Sequence, residues 1–173
     1  MQSKILIIKG SARKKGNTQL IVDAIRAKTP TTYIDLQDHN ISYYDYEHKN
    51  QADDFLGIAK QMTEHDIIIF ATPIYWYSMS AILKTFFDRL SDLLTIRKDL
   101  GRGLKGKKVY VVACSSDESV YEHFFMPFEK TATYLEMEWC GGVHTWIEED
   151  QLPSAVRLAI KNLIFSLEMK NPN

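Results

Sequence analysis

Short apolar runs alternate with amphipathic stretches along the chain. The runs are Lys4–Ile8, Thr31–Leu36, Ile67–Ala71, Lys108–Ala113 and a segment around Met137 to Val143 that contains a Gly-Gly. The first, third and fourth are almost continuously apolar, as strands buried on both faces of a parallel sheet must be. The stretches between them repeat apolar residues at i, i+3 and i+4, the spacing of one helix face. Leu20, Ile21, Ala24 and Ile25 predict the buried side of a first helix, and Phe55, Ile58, Ala59 and Met62 that of a second. Ile82, Leu83, Phe86, Phe87 and Leu90 mark a third, Phe124, Phe125, Phe128 and Ala132 a fourth, and Val156, Ala159, Ile160, Leu163 and Leu167 a fifth. The resulting βαβαβαβαβ order predicts an α/β fold, a doubly wound five-stranded parallel sheet with helices on both faces. Gln37–Lys49 reads as a polar and aromatic connection, and Arg97–Lys107 as a basic, glycine-rich loop.

The 173 residues suit one domain spanning 1–173. A formal net charge of −1 gives no argument for nucleic acid or an anionic membrane surface. Cys114 and Cys140 stand far apart in no C-x-x-C pattern, so reduced thiols are expected and a zinc site is not. The apolar run at the N-terminus is too short for a signal peptide, and no other stretch is long enough for a membrane span, so a cytoplasmic location is expected.

Two loops carry candidate chemistry. The first run ends in Gly10-Ser-Ala-Arg-Lys-Lys-Gly-Asn-Thr18 and leads into a helix. A helix start offers unpaired amides and the positive end of the dipole. Ser11, Asn17 and Thr18 add short polar groups, and Arg13, Lys14 and Lys15 add charge. Asn17 or Thr18 is expected to cap the helix. The spacing is neither G-x-x-x-x-G-K-[ST] nor G-x-G-x-x-G. An anion-binding turn is the expectation, with a solvated basic turn as the alternative. The third run ends in Ala71-Thr-Pro-Ile-Tyr-Trp-Tyr-Ser78. Pro73 is expected to end the strand, and Ser78 or Ser80 to cap the next helix. With strand order 2-1-3-4-5, strands one and three are neighbours at the switch point, where such sheets bind ligands. An anion cradle beside an aromatic platform suits a ligand with a phosphate tail and a planar ring, and FMN has that shape. The aromatics also suit a dimer contact, and the two uses are compatible.

With these motifs on the page, the sequence resembles the NAD(P)H-dependent FMN reductase group of the flavodoxin-like superfamily. The resemblance rests on GSARKKGNT, on ATPIYWYSMSAILKTFFDRL and on the weaker ADDFLGIAKQMTEHDIIIFATP. It implies that Ser11, Arg13, Asn17 and Thr18 bind the FMN phosphate, and that Pro73, Ile74, Tyr75, Trp76, Tyr77 and Ser78 line the isoalloxazine. Cys114, Ser115 and Ser116 would form a third flavin-facing loop, with Ser115 and Ser116 at the pyrimidine edge. Iron-sulfur relatives carry a cysteine cluster where this chain has HNISYYDYEHKN, so no cluster is expected. The flavin supplies the redox chemistry, NAD(P)H is the co-substrate, and no catalytic side chain is implied. The implied acceptor is a flavin, quinone, nitro or azo compound, and the implied assembly a homodimer. Arg97, Lys98 and Arg102 are candidates for the nucleotide phosphates, or else a solvated loop. The alternatives are a flavodoxin-type electron carrier without a nicotinamide site, against which the near-neutral charge speaks, and a flavin-binding module without turnover.

Overall fold

A computed structural model describes residues 3–119 and 123–168. The strands are β1 (Ile5–Lys9), β2 (Thr32–Asp35), β3 (Ile67–Tyr75), β4 (Ser78–Met79), β5 (Lys108–Cys114) and β6 (Glu138–Thr145). The helices are α1 (Asn17–Arg26), α2 (Phe55–Glu64), α3 (Ala81–Arg89), α4 (Asp92–Thr95), α5 (Lys98–Gly103), α6 (Met126–Tyr134) and α7 (Ser154–Glu168). The parallel sheet runs β2-β1-β3-β5-β6, with β4 paired only to β3. Setting that hairpin strand aside, this is the expected 2-1-3-4-5 order of a flavodoxin-like fold.

The near-continuous apolar runs have a direct cause. Successive side chains of a strand face opposite sides, and both sides here carry helices. Leu6, Ile8, Ile68, Phe70, Val109 and Val111 pack into one core layer, with residues of α2, α3 and α6. Ile5, Ile7, Ile67, Ile69, Tyr110 and Val112 pack into the other, with residues of α1 and α7. In α2 the expected face, Phe55, Ile58, Ala59 and Met62, is the buried one. In α1 the buried face is Thr18, Ile21, Val22 and Ile25, while Leu20 is exposed. The buried stripe thus takes in Thr18 and Val22 and leaves out Leu20.

Other expectations are corrected. β3 does not end at Pro73. It continues to Tyr75, pairing Pro73 with Cys114 of β5 and Tyr75 with Ser78 of β4. Trp76 and Tyr77 form the turn of this hairpin with φ of +48° and +64°. Positive φ at both central residues matches the twist that tight hairpins require, but it normally calls for Asn or Gly. Gly16 occupies the N-cap of α1, so neither Asn17 nor Thr18 caps it. Ser80 does cap α3, accepting from the amide of Leu83. The basic loop at 97–107 is partly helical. α5 lies so close to α4 that a Cβ on Gly101 would come within 2.4 Å of the Leu93 carbonyl oxygen. Among the described residues, no helix is long and apolar enough to cross a membrane.

The connection between β2 and α2 is fastened by a buried charge cluster. Arg89 is fully buried and bonds Asp53 and Asp92, the latter at 2.8 Å, and also donates to the Ser42 carbonyl. Asp92 meets His48 Nδ1 at 3.0 Å. The guanidinium lies 4.8 Å from the centre of the Phe55 ring. Burial opposes the Asp53 charge, and Arg89 with the Ser42 and Phe55 amides outweighs it, leaving the carboxyl below its ordinary value.

Candidate functional site

The loops after β1, β3 and β5 meet at the carboxyl ends of their strands around one cleft of about 340 Å³. That volume falls in the range of small-ligand sites, about 300–1,000 Å³. Ser11, Arg13, Gly16, Asn17 and Thr18 line it from the first loop, Pro73, Ile74 and Tyr75 from the second, and Cys114, Ser115 and Ser116 from the third. Trp76, Tyr77 and Ser78 make the tip and return strand of the hairpin and are not among the residues that line this cleft. Trp76 is 93% exposed there.

The first loop has the charge pattern of an anion site. Lys14 is paired with Asp38 and Lys9 with Asp35. Arg13 lines the cleft and has no carboxylate partner among the described residues. Gly16 brings no side chain to cap α1, so an incoming anion meets the helix start without a competing side-chain acceptor there.

One buried residue holds the first two loops together. Ser80 Oγ donates to the Gly10 carbonyl at 2.7 Å and accepts from the Leu83 amide at 3.2 Å. The Ser80 amide donates to Thr72 Oγ1, and the Gly10 amide to the Ala71 carbonyl. Gly10 must be glycine for this junction, because a Cβ there would stand 2.6 Å from Leu83 Cβ. Sequence reasoning found Ser80 as a cap, whereas its bond to Gly10 depends on a contact distant in the chain.

The third loop is set by a serine-histidine contact. Ser115 Oγ lies 2.6 Å from both the Asp117 carbonyl oxygen and His144 Nε2. A carbonyl only accepts, so the single hydroxyl hydrogen goes to Asp117, and His144 Nε2 donates to Ser115. Burial lowers the His144 pKa, with Asp117 opposing, which favours this neutral Nε2–H form. His144 also stacks on Trp146. A lone histidine reads from the sequence as a surface or helix-end residue, whereas His144 lies within β6 against Ser115. Burial pushes the Cys114 thiol up to about 11, so it stays protonated at neutral pH.

Arg97, Lys98 and Arg102 do not line this cleft. Arg97 makes a two-pronged bond to Asp99 at 2.9 and 2.8 Å. In the loop before α2, Tyr44 packs against Tyr46 and His48, while Tyr43 and Tyr46 are largely exposed.

Comparison with known proteins agrees with this architecture. Residues 3–124 match the family described as NADPH-dependent FMN reductase. YwqN of Bacillus subtilis (strain 168), assigned by name to NAD(P)H-dependent FMN-containing oxidoreductases, is 34% identical over 150 residues, covering 81% of this chain and 83% of YwqN. KefG of Enterobacter sp. (strain 638), named as an ancillary protein of a glutathione-regulated potassium-efflux system, is 30% identical over 132 residues, covering 68% of this chain and 71% of KefG. The solved structure of a Trp repressor binding protein from Bacillus subtilis superposes with a TM-score of 0.70 at 26% identity, covering 98% of this chain and 100% of that one.

Proposed function

The chain belongs to the NADPH-dependent FMN reductase family, and from that premise we propose that the three-loop cleft holds FMN and opens it to a small planar electron acceptor. The protein is an NAD(P)H-dependent oxidoreductase with FMN as cofactor and NAD(P)H as co-substrate. Bound FMN supplies the hydride and electron chemistry. What this chain supplies is position and charge. Ser11, Arg13, Asn17 and Thr18 receive the phosphate at the start of α1, and Pro73, Ile74 and Tyr75 lie along the ring. Ser115 and Ser116 meet the pyrimidine edge, with Ser115 held by His144. Trp76, Tyr77 and Ser78 border the entrance through which nicotinamide and acceptor reach the ring. The observation that carries this reading is Arg13, a cation without a carboxylate partner among the described residues, in the same cleft as Tyr75 and Ser116.

The acceptor class is a flavin, quinone, nitro or azo compound. The exposed aromatics Tyr43, Tyr46 and Trp76 support a homodimer, separated and unpaired cysteines a cytoplasmic location, and the length of 173 residues a single domain. A net charge of −1 favours an enzyme over a flavodoxin-type carrier that docks by complementary charge. Anaerobic mixing of the FMN-loaded protein with NADH or NADPH is expected to bleach the flavin band rapidly. Bleaching that needs a separate reductase would make the protein a carrier. Arg13→Ala with Thr18→Ala is expected to weaken FMN binding more than riboflavin binding, and equal losses would remove the phosphate role.

A further inference from the structure

Lys9 is the last residue of β1 and is fully buried. A buried cation is costly, and apolar residues of similar volume often stabilise a fold as well or better. A lysine here therefore calls for an explanation beyond stability. Its ammonium donates to the Arg13 carbonyl at 3.2 Å, the Lys14 carbonyl at 3.1 Å and Gln19 Oε1 at 2.8 Å, and lies 2.7 Å from Asp35 Oδ2. Asp35 also accepts from the Gln37 amide, and the Gln37 side chain donates to the Ala12 carbonyl at 3.0 Å. Tyr33 closes the cluster by donating to Gln19 at 2.8 Å. The successive carbonyls of Ala12, Arg13 and Lys14 are thus all taken by side chains of the scaffold, two of them by Lys9.

This arrangement has a geometric consequence. In a trans peptide the N–H points opposite to the C=O. Carbonyls drawn onto Lys9 turn the amides of Lys14 and Lys15 away from it and set the path of the backbone between Ser11 and Gly16. That path brings Ser11, Arg13 and the start of α1 to the cleft. Asp35 neutralises the ammonium at contact distance, so Lys9 acts on the loop through its hydrogen bonds and adds little net field at the cleft.

We propose that Lys9 is a positioning residue for the phosphate end of the cofactor, shaping the anion loop from beneath without touching the ligand. The inference rests on the FMN reading of the cleft. The test is calorimetric titration of FMN and of riboflavin into the apo form of the full chain, comparing wild type with the charge-balanced double variant Lys9→Met/Asp35→Asn. Removing one positive and one negative charge leaves the net charge unchanged, so long-range attraction is held constant. By analogy with residues that orient metal ligands from behind, FMN affinity is expected to fall about 10- to 100-fold. Riboflavin affinity is expected to stay within about twofold, because a ligand without phosphate makes no use of the loop. Hydrogen-deuterium exchange is expected to rise across residues 11–16 and to stay unchanged in α3. If that double variant does not fold, the charge-balanced Lys9→Gln/Asp35→Asn, which keeps a shorter polar side chain in the buried site, is expected to show the same FMN-selective loss. Equal losses for both ligands, or full FMN affinity in a folded variant, overturn the role of Lys9 alone. Wild-type protein that binds riboflavin and FMN equally overturns the phosphate assignment, and the role of Lys9 with it.

Discussion

Ser80→Ala tests whether the first two loops of the cleft depend on one hydroxyl. The side chain is 1% exposed, and its oxygen serves both the Leu83 amide and the Gly10 carbonyl. Losing a serine N-cap typically costs about 1 kcal/mol. Leaving the buried Gly10 carbonyl without its donor adds about 1–3 kcal/mol. The expected total is about 2–4 kcal/mol, which for a chain of this length lowers Tm by roughly 5–15 °C. Urea unfolding followed by tryptophan fluorescence measures the loss. Ser91→Ala is the control, since Ser91 stands at the N-cap of α4 without a side-chain capping bond. Its expected cost is below about 0.5 kcal/mol. Because the Ser80 bond joins the two loops, FMN binding should weaken along with stability. A Ser80→Ala protein as stable as the Ser91→Ala control would refute the argument that this hydroxyl joins the loops.

Further outcomes follow from the same structure. Gly10→Ala forces α3 off the sheet, because the obstructing atom is the Leu83 Cβ at 2.6 Å; a destabilisation above about 1 kcal/mol is expected, measured by thermal unfolding. Arg89→Met leaves Asp53 and Asp92 as uncompensated buried charges and should cost about 3–5 kcal/mol, whereas adding Asp53→Asn and Asp92→Asn should recover much of it. Asp53 has a lowered folded pKa, so its contribution is complete above the unfolded value of about 3.9 and is lost as pH falls through the folded value. Acid titration of wild type against Asp53→Asn should show that difference disappearing at low pH. The His144 ring, followed by NMR, should titrate below the ordinary histidine value of about 6.5, and Asp117→Asn should lower it further, since Asp117 raises it.

The layers were legible where one local rule governs. β1, β3 and β5 read as doubly buried strands because both of their faces meet helices, and α2 read correctly because its apolar stripe is complete. The cleft was legible as far as it follows strand ends, which is how Ser11, Arg13, Tyr75 and Ser115 came together from separate stretches. The misses share a cause in contacts between residues distant in sequence. Lys9 and Arg89 look like solvated charges until Asp35, Asp53 and Asp92 arrive from other elements to compensate them. His144 becomes significant only when β6 pairs with β5 and brings it against Ser115. The hairpin was hidden because Trp76 and Tyr77 are unusual residues for a tight turn, and Pro73 suggested an end where the strand continues. α5 was hidden because its glycines read as loop residues, whereas Gly101 permits close packing on α4.

The Trp76–Tyr77 turn also bears on selection. Two large residues with positive φ carry a conformational penalty of about 1–3 kcal/mol each. An Asn-Gly pair would satisfy the same backbone almost without strain. Selection for folding alone would drift toward that pair, so the aromatic tip marks a position where foldability has yielded to another demand on the chain. Trp76→Asn/Tyr77→Gly should accordingly give a protein more resistant to urea and poorer in turnover of planar acceptors, and a variant that gained stability with undiminished turnover would show that the tip answers to something other than the acceptor.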